Sequence, residues 1–217
     1  MSGQSGTLLL RLAGPMQSWG VQSRFTVRET GLEPSKSGVI GLICAALGRP
    51  RTAPVADLAA LRLGVRVDRQ GILSYDYHTA QDVLKAAGGL KDTEVSRRYY
   101  LADASFLVGL EGELALLRLL HAALYDPVWP LYLGRKAFTP GEPVWLADGL
   151  QVGVALRPAL EGYRWQARPG QARPERLRLV LEDPEGVEVR PDQPISFQSN
   201  ARRFAPRRVK TGWMILS

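Results

Sequence analysis

Residues 8–28 read LLLRLAGPMQSWGVQSRFTVR, and the fold prediction starts from this stretch. The apolar run at 8–12 has the character of a buried strand and ends at Gly14-Pro15, which favours a loop. The loop supplies side chains suited to phosphates and bases: Met16, Gln17, Trp19, Arg24 and Arg28. A strand that leads into guanidinium groups and flat or soft apolar side chains is typical of proteins that bind single-stranded nucleic acid.

Length and composition are those of a globular protein with a basic surface. The chain has 217 residues, of which 45% are hydrophobic and 23% charged, so it can bury a core. Its net charge of +7 favours a polyanionic partner. No acidic residue follows Asp192, where basic residues accumulate. We predict that four of them contact nucleic acid or a neighbouring subunit: Arg202, Arg203, Arg207 and Arg208.

Residue counts exclude several classes of site. Cys44 is the only cysteine, so a disulfide framework is absent. With His78 and His121 as the only histidines, a Cys/His zinc site cannot be assembled. No stretch approaches the roughly 20 apolar residues of a membrane span, and the N-terminal residues lack the features of a signal peptide. The sequence predicts a cytoplasmic protein with no metal, no cofactor and no membrane partner.

Hydrophobic periodicity predicts alternating strands and helices. A strand at 7–13 is followed by a helix at 34–47, which is apolar nearly all round and which Ser35 or Ser37 can cap. Residues 78–98 lack sustained periodicity and are predicted to form a long loop. The other predicted elements are a short helix at 55–61, strands at 63–68, 72–77 and 105–110, a helix at 113–125 and a strand at 144–146.

This order predicts an α+β fold, a ferredoxin-like βαββαβ domain with an insertion. We assign residues 1–148 to this RNA-binding domain. Residues 149–217 form a β-rich C-terminal part, which we expect to pack on the first domain rather than fold independently. Its predicted strands lie at 151–156, 177–181, 187–189 and 212–216.

Candidate catalytic residues are few. His121 lies among leucines and alanines and is interpreted as a packed helix residue. His78 lies where a strand meets the predicted long loop; it can act as a general acid or base for RNA cleavage, or form a structural hydrogen bond. No GxxxxGK[ST] or GxGxxG motif occurs. The residues therefore favour binding over catalysis.

Three further segments carry residues suited to phosphates or bases. Lys36 and Ser37 start a predicted helix, where free backbone N–H groups favour a phosphate, although Ser37 can simply cap the helix. The segment at 97–100, RRYY, places two cations before two rings. The segment at 131–136, LYLGRK, places two cations after a glycine, which lets the backbone approach a ligand. The candidate contacts in the last two segments are Arg97, Arg98, Tyr132, Arg135 and Lys136.

Five motifs in order resemble one family. They are LRLAGPMQSWG at 10–20, PSKSGVIGLICAALG at 34–48, DYHT at 76–79, YLADASF at 100–106 and YLGRK at 132–136. Together they resemble the CasD subunits of type I-E CRISPR Cascade complexes, which belong to the RAMP superfamily of ferredoxin-like RNA-binding proteins. The resemblance covers roughly residues 8–136 and is looser beyond them.

The resemblance implies a subunit that grips the 5′ handle of the CRISPR RNA and caps the backbone assembly in antiviral defence. The implied partners are the adjacent Cascade backbone subunit, the large subunit and, indirectly, target DNA. An insertion at about 79–99 is implied to form a thumb-like hairpin beside the guide RNA. Six candidates fall in matched motifs: Gln17, Trp19, Lys36, Ser37, Arg135 and Lys136. Arg24 and Arg28 lie between motifs and are included for their chemistry, whereas Met16 and Trp19 can instead serve the core or a partner subunit.

Some relatives in other CRISPR subtypes cleave repeat RNA with a tyrosine and a lysine–histidine pair. Here His78 follows Tyr77 and His121 follows Leu120, so no Lys-His pair exists. The predicted function is therefore non-catalytic RNA binding. The alternatives are a metal-independent endoribonuclease that processes CRISPR repeat RNA with His78, and a protein scaffold that never meets RNA. For the binding function, we expect alanine at Lys36 or Arg135 to weaken handle binding and to leave the fold intact.

Overall fold

The computed structural model describes residues 4–21, 26–85, 88–166 and 170–216, which contain eleven strands and four helices. In these ranges no helix has the length and apolar character needed to cross a membrane. The strands are β1 (Ser5–Ala13), β2 (Met16–Gln17), β3 (Val27–Arg28), β4 (Arg62–Arg69), β5 (Ile72–Leu84), β6 (Leu90–Ala102), β7 (Ser105–Glu113), β8 (Leu150–Val152), β9 (Arg176–Glu182), β10 (Glu188–Ser196) and β11 (Arg203–Ile215). The helices are α1 (Lys36–Ala46), α2 (Ala56–Ala59), α3 (Leu114–Tyr125) and α4 (Leu156–Gly162).

A seven-stranded antiparallel sheet has the strand order β10-β11-β9-β4-β7-β1-β8. Four adjacent strands, β4-β7-β1-β8, form a βαββαβ unit with α1 after β1 and α3 after β7. The predicted ferredoxin-like α+β fold is therefore confirmed. The strand predicted at 72–77 is present as the start of β5, but it belongs to a separate hairpin. The strand expected at 144–146 was wrong, and the last strand of the unit is β8.

Strand β1 is buried on both faces over most of its length, which explains the consecutive leucines at 8–10. Leu8, Leu10 and Leu12 point into one core, which they share with α1 and α3. Leu9 points into a second core on the opposite face, which is covered by α4. Because side chains alternate along a strand, successive leucines serve the two cores in turn. The sheet is thus the middle layer of the molecule.

Helix α1 begins at Lys36, two residues after the predicted start, and its cap is one of the two predicted serines. The Ser35 side chain is the N-cap and accepts a hydrogen bond from the Gly38 N–H at 3.3 Å. A Cβ atom on Gly38 would lie 2.8 Å from the Trp19 ring, so glycine here lets the indole pack directly on the helix. Burial raises the pKa of the Cys44 thiol to about 11, so this cysteine is unreactive at neutral pH.

A buried ionic cluster holds the start of α1 against the C-terminal strands. The Asp192 carboxylate accepts a hydrogen bond from the Lys36 backbone N–H at 2.7 Å and one from Arg207 Nε at 2.6 Å. Lys36 Nζ lies 2.9 Å from the Glu182 carboxylate. Burial lowers the pKa of Lys36 in spite of the opposing attraction of Glu182. The helix N-terminus does bind an anion, as its dipole favours, but the anion is a carboxylate of this chain.

Residues 78–98 were predicted to form a loop, and this prediction was wrong. They lie in a long antiparallel hairpin in which β5 pairs with β6 from Ile72–Ala102 at its base to Leu84–Leu90 near its tip. The thumb-like hairpin expected at about 79–99 is therefore present with wider bounds. Strands β2 and β3 pair with the other side of β6. Together these four strands form a second sheet.

The C-terminal strands extend the central sheet, because β9 pairs with β4. Helix α4 was not predicted, and the strand expected at 151–156 is shorter, because β8 ends at Val152 and α4 begins at Leu156. Strand β11 starts at Arg203, well before the predicted 212, so it contains most of the basic C-terminal cluster. The domain boundary at residue 148 stays a prediction. It also stays a prediction that residues 149–217 do not fold independently of the first domain, and the pairing of β9 with β4 supports it.

We predict that Asp192→Ala lowers the free energy of unfolding by about 3–5 kcal/mol, because it leaves buried charge without its partner. Urea denaturation measures this as a lower midpoint at constant m-value. The matched control is Glu161→Ala, which removes the exposed Arg157–Glu161 pair on α4 and should change stability by less than about 0.5 kcal/mol. Equal effects of the two substitutions would contradict the structural role of the ionic cluster.

Candidate nucleic-acid interface

The loop at 132–138 is shaped by one glycine. Gly134 has a φ of +90°, and a Cβ atom there would lie 1.7 Å from the carbonyl oxygen of Ser18. Only glycine allows this contact. On either side of it, Leu133 and Phe138 are buried in the core. The loop is therefore held firmly, and it presents Arg135 at a defined position.

The Arg135 guanidinium reaches the base of the hairpin. Its Nη2 atom donates to the carbonyl oxygens of Tyr99 at 2.9 Å and Arg28 at 3.2 Å. Its Cζ atom lies 5.4 Å from the centre of the Phe138 ring. Among the described residues, Nε and Nη1 of Arg135 form no hydrogen bond. These donors point to a site for an anion.

Arg28, Arg98 and Arg135 form a cationic cluster. Strands β3 and β6 pair with Arg28 opposite Arg98, which places these two side chains on one face of the sheet. Burial and then repulsion from Arg98 and Arg28 lower the pKa of Arg135, and only Asp76 opposes this. None of the three arginines forms an ion pair within the part of the chain that the structure describes. An anionic ligand would relieve this repulsion.

The other face of the hairpin carries aromatic side chains. The register pairs Tyr75 with Tyr99 and Tyr77 with Arg97, so strand alternation places these four residues on the face opposite Arg98. The predicted segment at 97–100 is thus divided between two faces. Tyr100 packs against the core, where its ring centre lies 6.0 Å from that of Phe138.

Gln17 was expected to contact RNA, and Trp19 to contact RNA or to serve the core or a partner subunit; both are buried. Gln17 Nε2 donates to the carbonyl oxygens of Leu12 at 3.0 Å and Ala104 at 2.8 Å. Its side-chain oxygen accepts a hydrogen bond from Trp19 Nε1 at 3.1 Å. With exposures of 0% and 2%, neither side chain can reach a ligand. Both are removed from the candidate interface because their polar atoms serve the interior.

Lys36, Ser37 and Arg207 are corrected for the same reason. Lys36 is 1% exposed and paired with Glu182, while Arg207 is 9% exposed and paired with Asp192. Ser37 is buried, and the capping residue is Ser35. A charged side chain in the interior requires a partner of opposite charge. Strand β10 supplies Asp192 to Arg207 on the adjacent β11, and β9 supplies Glu182 to Lys36, 146 residues away.

The remaining candidates lie outside the cluster. Met16 is half-buried against the core, Tyr132 is half-buried, and Lys136 is exposed next to Arg135. The basic C-terminal residues lie on or beside β11, in the other sheet: Arg202, Arg203 and Arg208 are exposed there. The Cζ atom of Arg202 lies 5.0 Å from the centre of the Phe204 ring. Arg24 lies outside the described residues.

His78 is exposed on the hairpin, on the face of Arg98. In the described ranges its imidazole has no hydrogen-bond partner. His121 Nε2 lies 2.9 Å from the Leu146 carbonyl oxygen, and its ring packs against Trp145. No group of three or more His, Cys, Asp or Glu side chains is placed to hold a metal ion in the described part of the chain.

Sequence reasoning missed Tyr75 and Tyr77 as candidate contacts. The signal was present in residues 72–79, ILSYDYHT, because a spacing of two places both rings on one face of a strand. Their partners, Arg97 and Tyr99, depend on the pairing register, which the sequence did not reveal.

Comparisons with known proteins agree with this architecture and confirm the resemblance seen in the motifs. The family model described as CRISPR-associated protein (Cas_Cas5) matches residues 7–210. The Cascade subunit CasD of Escherichia coli (strain K12) is 36% identical over 155 residues, which cover 64% of this chain and 69% of that protein.

Two solved structures are similar over nearly the whole chain. One, described as a Cas protein, has 48% identity and a TM-score of 0.79, and the match covers 96% of this chain and 95% of the other. The second is a chain of a CRISPR RNA-guided surveillance complex, with 35% identity, a TM-score of 0.77 and coverage of 97% and 90%. The chain belongs to the Cas5 family of CRISPR-associated proteins.

Proposed function

We propose that this protein is the CasD-type subunit of a Cascade surveillance complex, where it binds the 5′ handle of the CRISPR RNA without cleaving it. Its partners in this role are the CRISPR RNA, the adjacent backbone subunit and the large subunit, with target DNA contacted indirectly. The complex acts in antiviral defence in the cytoplasm. The relatives that support this assignment are a CasD subunit and a chain of an RNA-guided complex.

The observation that carries the proposal is the cationic cluster of Arg28, Arg98 and Arg135. The three guanidinium groups create a positive potential at the base of the hairpin, and Asp76 is the one carboxylate that opposes the lowered pKa of Arg135. Arginine binds phosphate through two parallel hydrogen bonds, and Arg135 has donors available for them. The mechanism is an electrostatic grip on a few phosphates, which holds the handle in a defined path.

A ribonuclease function is not favoured. Cleavage without a metal requires an acid and a base close to the scissile phosphate. His78 is the one candidate suggested by the sequence, and within the described residues no second titratable side chain is hydrogen-bonded to its imidazole. The exposed position is suitable for contact with RNA but does not assemble a catalytic pair.

We predict that Arg135→Ala makes the plot of log binding constant for RNA against log salt concentration less steep by about 0.7, because one phosphate contact is lost. Affinity for synthetic handle RNA should fall by about 10-fold or more at low salt, since a hydrogen bond to a charged group is worth about 1.5–3 kcal/mol. Fluorescence anisotropy titrations at several salt concentrations measure both quantities.

Arg135→Lys is the paired variant, because it keeps the charge and should restore most of the slope. The matched control is Arg118→Ala, which removes an exposed arginine on α3. An unchanged slope in Arg135→Ala would remove this residue from the interface. A flat salt dependence of the unmodified protein would reject RNA binding by phosphate contacts altogether.

For Lys36 the structure reverses the earlier expectation. We now predict that Lys36→Ala lowers the thermal midpoint, because Glu182 loses its partner, and leaves the salt slope of RNA binding unchanged. Thermal denaturation and the same titrations test this. A reduced slope with unchanged stability would return Lys36 to the interface.

For His78 we predict that pure protein incubated with repeat RNA in EDTA gives no site-specific product on a denaturing gel. His78→Ala is the control that identifies any background nuclease, because contaminating cleavage persists in the variant. Cleavage at one site that the variant abolishes would replace the binding function with the nuclease alternative.

A further inference from the structure

The aromatic face of the hairpin, formed by Tyr75, Tyr77, Arg97 and Tyr99, has no role in the phosphate grip. Tyr75 is 50% exposed and Tyr77 56% exposed, although both carry large rings. Their ring centres lie 5.4 Å apart at 81°, and those of Tyr75 and Tyr99 lie 5.6 Å apart at 47°. Rings at such angles are not stacked on one another, so a planar group can still stack on them.

Arg97 adds a cation to this face. Its Cζ atom lies 5.7 Å from the Tyr77 ring centre and 6.0 Å from that of Tyr75. This contact with both rings restrains the guanidinium beside them. A nucleotide whose base lay on the rings would place its phosphate within reach of such a cation.

We propose that this aromatic face stacks one unpaired base of the RNA whose phosphates the cationic cluster binds. The inference rests on the proposed function and extends it, because it assigns the base contact and the phosphate contacts to opposite faces of one hairpin. Stacking on aromatic side chains tolerates any base sequence, since every base has a flat face.

The position of the two faces favours a nucleic acid over a protein partner. Arg97 and Arg98 are adjacent in β6 and point to opposite faces, so the rings and the cationic cluster lie at the same level of the hairpin. In the described chain β5 pairs only with β6, so the outer side of β5 is a free edge. A single strand can cross this edge from one face to the other.

Charge agrees with this assignment. The three register pairs on the aromatic face, Tyr75–Tyr99, Tyr77–Arg97 and Thr79–Val95, include one cation and no acid. The carboxylates at this level, those of Asp76 and Glu94, belong to the opposite face. A polyanion is therefore not repelled where its base would stack.

The test uses the full chain and synthetic handle RNAs with the fluorescent base 2-aminopurine at one position at a time. We expect one position to be quenched when the RNA binds, because stacking on a ring quenches this base. Tyr75→Ala/Tyr77→Ala should remove the quenching and weaken binding by about 5- to 150-fold. Tyr75→Phe/Tyr77→Phe keeps the rings and should retain both the quenching and the affinity. The control Tyr125→Ala removes an exposed tyrosine on α3 and should change neither quantity.

A second measurement does not depend on the folding of a variant. An abasic nucleotide at the quenched position should weaken binding to the unmodified protein by a similar factor. It should have little further effect on Tyr75→Ala/Tyr77→Ala, because the same contact is already lost. Full additivity of the two changes would overturn the stacking contact.

The outcomes separate this inference from the proposed function. Salt-dependent binding that needs Arg135, with no quenched position and no effect of the double alanine variant, would overturn the inference alone. Unchanged RNA affinity together with lost assembly into the complex would assign the aromatic face to a protein partner and also overturn it. Flat salt dependence of the unmodified protein would reject the proposed function and the inference with it.

Discussion

The buried amide of Gln17 is the contact on which the arrangement of the interface depends. It joins the end of β1 to the residues just before β7 through the carbonyl oxygens of Leu12 and Ala104, and it accepts a hydrogen bond from Trp19. An amide with zero exposure must satisfy its polar atoms inside the protein, so only one local geometry is permitted. That geometry directs Trp19 onto Gly38 of α1 and fixes where the hairpin leaves the sheet.

The basic character of the chain divides into two kinds of charge. Lys36, Arg66 and Arg207 are buried and paired with Glu182, Asp68 and Asp192, so they hold strands and helices together. Arg28, Arg98 and Arg135 form no such pairs within the described residues. Net charge therefore indicates the class of ligand, but it does not identify the residues that bind it. Ion pairs in the interior neutralise some of the side chains that composition alone counts as available to a ligand.

The hairpin places two kinds of chemistry on its two faces. Adjacent residues of an extended strand point in opposite directions, so Arg97 and Arg98 separate although the sequence presents them together. Tyr99 and Tyr100 separate in the same way, one with the exposed rings and one in the core. This alternation divides a compact basic-aromatic motif between a cationic surface, an aromatic surface and the interior.

The sequence by itself determined the ferredoxin-like unit, the apolar helix α1 and the family, because these depend on local periodicity and on motifs of fixed order. It left the cap of α1 open between Ser35 and Ser37, and the structure decides for Ser35. The sequence also indicated Arg28, Arg98 and Arg135, whose proximity the structure revealed. Only the tertiary structure decided that Gln17 and Lys36 are interior, since their partners Ala104 and Glu182 lie far away in the chain. It also decided between the two roles that the sequence left open for Trp19. It likewise decided the extent and register of the hairpin, which the family resemblance implied but periodicity did not show. Two exposed strands need no apolar alternation, because they are stabilised by pairing with each other.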